Sequence, residues 1–369
     1  MKVLSTFLPV TSEQAFYRLM FGDAAETLSI EESDEVGSYL MGITGDDEDR
    51  DFAEDLNQSL PWLGEHLAQP LDALLHEEGC PAVTLVLSGP LGLAPLHAAP
   101  WDTDEGSRCL LDGFDVRFAP SASVQARSIT RASETPLMPE VLLALANPTH
   151  DLAAAVPEAE EIIAKFPDAQ SRYFEGDDAT SAALAEHAAD ATHIHLACHA
   201  QADMFHPSQS EVVLADRAVS ALEFTGMVGL NTRLVAISAC QTGMAEITEM
   251  ADEAMSFGTS VLAAGSACAI ATLWPVNDAA TALLMTRTYE ELATGVDPPQ
   301  ALRKAQLWLR DLDEDAEQAF LAEHPALQAE FQRRTAAGDI PGRRGNGLDH
   351  QNHPFSHPSY WAPFIASGA

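Results

Sequence analysis

A mostly parallel α/β sheet with helices on both faces is the fold class this sequence predicts, and two patterns carry that expectation. Apolar runs short enough to be buried strands recur at Val83–Leu87, Val141–Ala146, His193–Cys198, Glu211–Leu214, Arg233–Ser238, Cys268–Leu273 and Pro363–Ala366. Amphipathic stretches at Pro157–Phe166, Ser181–Ala189, Met250–Ala264 and Ala279–Ala293 lie between them. Continuous apolar strands alternating with helices are what a parallel sheet covered on both sides requires, because both of its faces leave water.

Taken in order, the first 135 residues read as an N-terminal α/β half without visible catalytic groups, and residues 136–369 as the functional domain. The acidic run over 31–55, which includes Asp46-Asp47-Glu48-Asp49, reads as a solvated loop and helix face. Thr180 or Ser181 is placed to cap the helix running to Ala189, and Asp278 to cap the one running to Ala293. Residues 313–353 begin as an acidic helix and turn Gly/Pro-rich through Ile340-Pro341-Gly342, so a mobile insertion is expected there. Apolar character returns at Pro358–Ile365, which docks the end of the chain on the body.

With 369 residues and 46% hydrophobic content there is ample material for a large core. The formal charge of −37 arises from 56 acidic against 19 basic residues. Such a surface repels phosphate backbones, so a nucleic-acid partner is not expected. No apolar stretch reaches the ~18 residues of a membrane span. Cys80, Cys109, Cys198, Cys240 and Cys268 are odd in number and irregularly spaced, which argues for reduced thiols and a cytoplasmic setting. The apolar run at Met1–Pro9 is too short for a signal peptide.

Chemistry concentrates at two strand ends. Leu234-Val235-Ala236-Ile237 runs into Ser238-Ala239-Cys240-Gln241-Thr242-Gly243, and His193–Cys198 runs into His199. A thiol at the end of one strand and an imidazole at the end of its neighbour give a nucleophile and its general base. Cys198 and Cys268 lie within apolar runs and read as structural thiols, whereas Gln241-Thr242-Gly243 breaks the strand directly after Cys240. His193, His195 and His199 also form an H-x-H-x3-H spacing. In a strand the first two share a face, which leaves a metal-dependent hydrolase as a third reading. The cysteine chemistry itself calls for no cofactor.

These blocks, in their order, resemble the CHAT group of caspase-like proteins, relatives of caspases and separases. The resemblance rests on Leu85–Leu96, Ala146-Asn147-Pro148, Pro157–Glu160, His195–His199, Ser238–Gly243, Ala271–Asp278 and His357–Phe364. It implies a caspase-like sheet and a cysteine endopeptidase, with His199 and Cys240 as the dyad and the backbone N–H groups of Cys240 and Ala200 as oxyanion donors. The family usually has glycine where this chain has Ala200; alanine keeps the N–H but is strained at positive φ. Similarity to separases implies that Asp278, after Trp274-Pro275-Val276-Asn277, receives a basic residue before the cut; Asp203 and Asp252, on the polar segments after the two catalytic strands, are the next acidic candidates to face substrate. The partners implied are a protein substrate and a regulatory protein. The helical repeats that often accompany the module are missing from this chain, and a catalytically silent signalling module is the alternative reading.

Overall fold

The computed structural model describes residues 52–87, 89–201, 209–227, 232–238, 257–337 and 353–369. The chain separates into two compact units, one made of 1–83 with 93–116 and the other of 84–92 with 117–369. In the first, helix α1 (Phe52–Leu63) buries Leu56, Leu60 and Leu63, a spacing that lines one helical face. Helix α2 (Gln69–Glu77) follows, and strand β1 (Ala82–Leu85) crosses the division between the units. The hairpin β2 (Trp101–Thr103) and β3 (Gly106–Arg108), helix α3 (Leu110–Gly113) and the start of β4 (Asp115–Phe118) complete it. Gly64 follows α1 directly, and a Cβ there would stand 1.7 Å from the Pro100 carbonyl oxygen. Only glycine admits that backbone approach. The acidic run over 31–55 lies outside the described residues up to Asp51, and its last residues open α1, with Asp55 buried.

The second unit continues with α4 (Ala122–Glu134), β5 (Val141–Ala146), α5 (Ala155–Ala164), β6 (Gln170–Glu175), α6 (Ser181–His187) and β7 (His193–Ala197). Three short strands follow, β8 (Ala200–Gln201), β9 (Glu211–Val213) and β10 (Ala218–Ser220), then α7 (Ala221–Thr225) and β11 (Leu234–Ile237). Next come α8 (Phe257–Ala264), β12 (Cys268–Thr272), α9 (Asp278–Ala293) and α10 (Pro298–Arg310). The chain closes with α11 (Glu314–Glu323), α12 (Pro325–Ala337), α13 (Pro358–Trp361) and β13 (Phe364–Gly368).

Eight strands form one sheet in the order β1-β4-β13-β12-β11-β7-β5-β6. The run from β12 to β6 is parallel, and β13 enters antiparallel to β12 and parallel to β4. The apolar end of the chain thus becomes an interior strand. Side chains alternate across the sheet as a pleat demands. Leu143, Leu145, Ile194, Leu196, Val235 and Ile237 meet Leu184, Phe224 and Val261 of α6, α7 and α8 on one face. Ala144, Ala146 and Ala197 meet Ala155 and Ala159 of α5 on the other. Small residues on that second face let α5 approach the strands closely.

Three expectations change. Helix α4, read from sequence as part of the N-terminal half, packs Gln125 against the end of β13, where its amide donates to the Gly368 carbonyl at 3.2 Å. The sheet-bearing unit therefore reaches back to residue 117 rather than starting near 136. The expected mobile insertion at 313–353 is, as far as Ala337, the packed helices α11 and α12, burying Phe320, Leu321, Leu327 and Phe331; residues 338–352 lie outside the described residues. Helix α6 is capped by Thr180 as expected, its hydroxyl accepting the Ala183 N–H at 3.1 Å. The cap of α9, however, is Asn277 rather than Asp278, through the Ala280 N–H at 3.0 Å. Asp278 is left for other work.

Candidate functional site

The carboxyl ends of β5, β7, β11 and β12 lie along one edge of the sheet, where the connections of a parallel sheet gather polar groups. After Ala197, Cys198 is fully buried, and burial pushes its thiol up to about 12, so it is a packing residue. His199 comes next. Its Nε2 lies 3.0 Å from both oxygens of Asp151, and its side chain is 21% exposed. Its Nδ1 is buried and has no hydrogen-bond partner among the described residues. With Nε2–H donating to the carboxylate, Nδ1 carries the lone pair and can take a proton.

Asp151 belongs to the loop after β5, and local sequence explains its aim. Asn147 adopts φ 50° and donates its N–H to the Ala197 carbonyl at 2.8 Å, while its side-chain oxygen accepts the Leu152 N–H at 2.9 Å. Asparagine tolerates that left-handed conformation because its short amide satisfies the turn locally. His150 follows at φ 64°, and the Thr149 hydroxyl donates to Asp151. The Thr149 bond holds the Asp151 carboxyl below its ordinary range against the opposing effect of partial burial, and His199 adds to this. Asp151 was not singled out by sequence; the turn-forming Asn147-Pro148 just ahead of Thr149-His150-Asp151 was the available signal.

Ala200 opens β8, antiparallel to β9, opposite Val212. Val213 N–H donates to the His199 carbonyl at 2.8 Å, so His199 and Val213 form a hydrogen-bonded pair. The alternation of an antiparallel ladder then makes Ala200 a non-bonded position, with its N–H directed away from β9. Ala200 is not among the residues with positive φ, so alanine meets no strain there.

On β11, the Ser238 N–H donates to the Leu196 carbonyl at 3.0 Å, at the last described residue of that segment. Leu234 pairs with His193 and Ile237 with Leu196, an offset of 41 positions, which is also the separation of Cys240 from His199. Cys240, Asp203 and Asp252 themselves lie outside the described residues.

Asp278 is not an open acid. Its carboxylate accepts the Ala154 N–H at 3.0 Å and pairs with the Arg334 guanidinium of α12. Only 17% of its side chain is exposed, and burial raises its carboxyl above the ordinary range despite the Ala154 N–H and Arg334. Ala154 closes the same loop that carries Asp151. Three residues of chain span at most about 11 Å, so Asp278 and the His199 partner are held by one short segment. Arg334 was also not singled out by sequence.

The H-x-H-x3-H histidines divide into three environments. His195 is wholly buried with its Nε2 2.9 Å from Glu158 of α5 and its ring edge-on to Tyr289 of α9. Burial raises the Glu158 carboxyl, with His195 opposing. His193 is wholly buried, and burial together with the Arg233 charge pushes its imidazole down to about 3. Among the described residues no group of three or more His, Cys, Asp or Glu is arranged to hold a metal ion. Cys80, Cys109, Cys198 and Cys268 are all free thiols, and no described helix is long and apolar enough to cross a membrane.

Fold and site together define a parallel α/β protein with a carboxylate-held histidine at the strand-end edge. The chain belongs to the CHAT domain family, whose family model matches residues 57–369. Among solved structures, it is similar to two of the Saccharomyces cerevisiae separase–securin complex. One has 15% identity and a TM-score of 0.44, the other 13% and 0.42; each covers 61% of this chain and 14% of the other. The chain thus spans about a seventh of the length of those chains. No curated protein matches it.

Proposed function

We propose that this protein is a caspase-like cysteine endopeptidase that cleaves protein substrates after basic residues, with Cys240 as nucleophile and His199 as general base and acid. The observation that carries this reading is the register of β7 and β11. Its offset of 41 positions equals the sequence separation of Cys240 from His199, and His199 Nδ1 has no described partner; both support the pairing of these two groups.

The chemistry follows from those groups. The Cys240 thiol gives its proton to His199 Nδ1 as its sulfur bonds to the scissile carbonyl carbon. The oxygen that gains charge accepts N–H bonds from Ala200 and Cys240. The imidazolium, steadied by Asp151, returns the proton to the leaving amine as the C–N bond breaks, and water then hydrolyses the thioester. Asp278 supplies the negative charge for a basic side chain. A silent interaction module is the second reading, favoured by Arg334 on Asp278, since a filled acid offers substrate no counter-charge.

A fluoromethylketone peptide with arginine beside the reactive carbon separates the two. The expected result is a single adduct on Cys240 by mass spectrometry, absent in Cys240→Ala and His199→Ala. Hydrolysis of a basic peptide by Cys240→Ala at the wild-type rate would remove the cysteine mechanism.

A further inference from the structure

The α11–α12 excursion contributes no strand to the sheet, yet it delivers an arginine to the acid at the strand-end edge. Arg334 is 9% exposed, and its Nη2 meets Asp278. Its Nε donates to Glu330 of the same helix at 2.7 Å. The Asp278 carboxylate has one further partner among the described groups, the Ala154 N–H. A guanidinium on a partly buried carboxylate is also what an arginine-bearing peptide would present, so ligand and internal occupant are chemically alike.

We infer that Arg334 is an intramolecular stand-in for the substrate's basic residue, and that α12 must withdraw it from Asp278 before such a substrate can bind. This rests on the endopeptidase reading and names a control on the same site. Two features suit the contact to release. Exchange of one guanidinium for another leaves Asp278 paired at both end points, so the carboxylate lacks a cation only in passing. Arg334 keeps Glu330, one turn away on α12, so the withdrawn cation retains a counter-ion.

The joint between the two helices anchors the plug. His324 caps α11 just before α12 begins, with Nδ1 2.9 Å from Glu161 of α5 and Nε2 3.2 Å from Glu290 of α9. Lys165, at the end of α5, pairs with Glu290 at 2.7 Å. The anchor grips α5 and α9, while the arginine lies a helix length further on. Movement of α12 therefore need not unseat the joint.

The experiment uses the full-length protein and two fluoromethylketone peptides that differ only in arginine or leucine beside the reactive carbon. In Arg334→Ala, labelling of Cys240 by the arginine probe should accelerate roughly 10- to 100-fold, as expected for removing a competing charged hydrogen bond. Labelling by the leucine probe should stay at the wild-type rate. Arg334→Gln, which keeps the stem and a donor for Glu330, serves if the alanine variant unfolds, and the same selective gain is expected. A folded variant with an unchanged or slower arginine-probe rate and a normal leucine-probe rate would overturn the stand-in while leaving the dyad intact. Failure of both probes on every variant, wild type included, would instead remove the endopeptidase reading and the control with it.

Discussion

At the start of β7, His193 is sealed in the protein beside the Arg233 guanidinium, and its imidazole is driven down to about 3. Just past the other end of the strand, His199 is partly open, bonded through one nitrogen to Asp151 and, among the described residues, without a partner for the other. The two histidines are of one residue type on one stretch of chain, and their surroundings give them opposite capacities. At the amino end, burial and a cation forbid a proton. At the carboxyl end, the Asp151 carboxylate faces Nε2 and the ring is partly open. His195 between them shows that a carboxylate alone does not make a working base. Glu158 lies 2.9 Å from its Nε2, but zero exposure leaves it out of reach of any substrate.

The largest test of this contrast is to remove each histidine. His199→Ala should lower peptide turnover by roughly 10²- to 10⁴-fold, the usual worth of a general acid–base group. On the proposed dyad, the Cys240→Ala/His199→Ala double variant should be little worse than either single one, because two groups acting as a unit lose their effect together. His193→Asn should retain turnover and lose stability, read as a lower midpoint of urea unfolding. Full loss of turnover in a folded His193→Asn protein would break the contrast.

Next in size is the response to pH, where His193 and His324 run in opposite directions. The folded pKa of His193 is depressed, so its contribution is present above about 6.5 and is lost as pH falls toward about 3. The slope is at most about 1.4 kcal/mol per pH unit. For His324, burial acts against the charged form, but hydrogen bonds to Glu290 and Glu161 outweigh it and raise the pKa. With both ring nitrogens facing carboxylates, the histidine is the imidazolium. Its contribution is complete below about 6.5 and is lost as pH rises through the raised folded value. Limited proteolysis within α11–α12 should therefore quicken on the alkaline side, whereas global stability should fall on the acid side. A His324→Gln protein with wild-type alkaline sensitivity would show that the anchor lies elsewhere.

The smallest expected effect is at Asp151. Its side chain is 61% exposed, so its pairing with His199 is worth no more than ~1 kcal/mol, about a fivefold change. On the proposed mechanism, in which Asp151 steadies the imidazolium without touching substrate, Asp151→Asn should lower kcat by about that factor with KM nearly unchanged. A loss as deep as that of His199→Ala would mean the carboxylate does more than steady the ring.

Four interior strands were plain in the sequence, as were the edge strand β1 and β9 of the small sheet. β5, β7, β11 and β12 are buried on both faces, so each reads as an unbroken apolar run. β6, Gln-Ser-Arg-Tyr-Phe-Glu, was not read as a strand because it is the sheet's outer edge, with only partial burial. β8 and β10 are too short to show a period. The start of α11 was legible as an acidic helix, but the charge of α11 and α12 suggested a mobile segment and hid their packing. Two polar groups there are turned inward, Arg334 against Asp278 of α9 and His324 against Glu161 of α5 and Glu290 of α9. Hydropathy counts such residues as polar wherever they end up, so no periodicity of apolar side chains could have shown the packing.

The order of apolar runs, with the residues that end them, is determined by the sequence itself. The 41 positions between His199 and Cys240 are set by the chain itself, and the tertiary pairing of β7 with β11 has the same offset. Which carboxylate holds His199, and which cation fills Asp278, was decided only by the tertiary structure. Asp151 lies 48 positions before its histidine and Arg334 lies 56 after its aspartate. Pairings at that distance depend on where loops and helices close over the sheet. In a chain with 56 acidic residues, composition offers each histidine and arginine many carboxylates, and only geometry selects one.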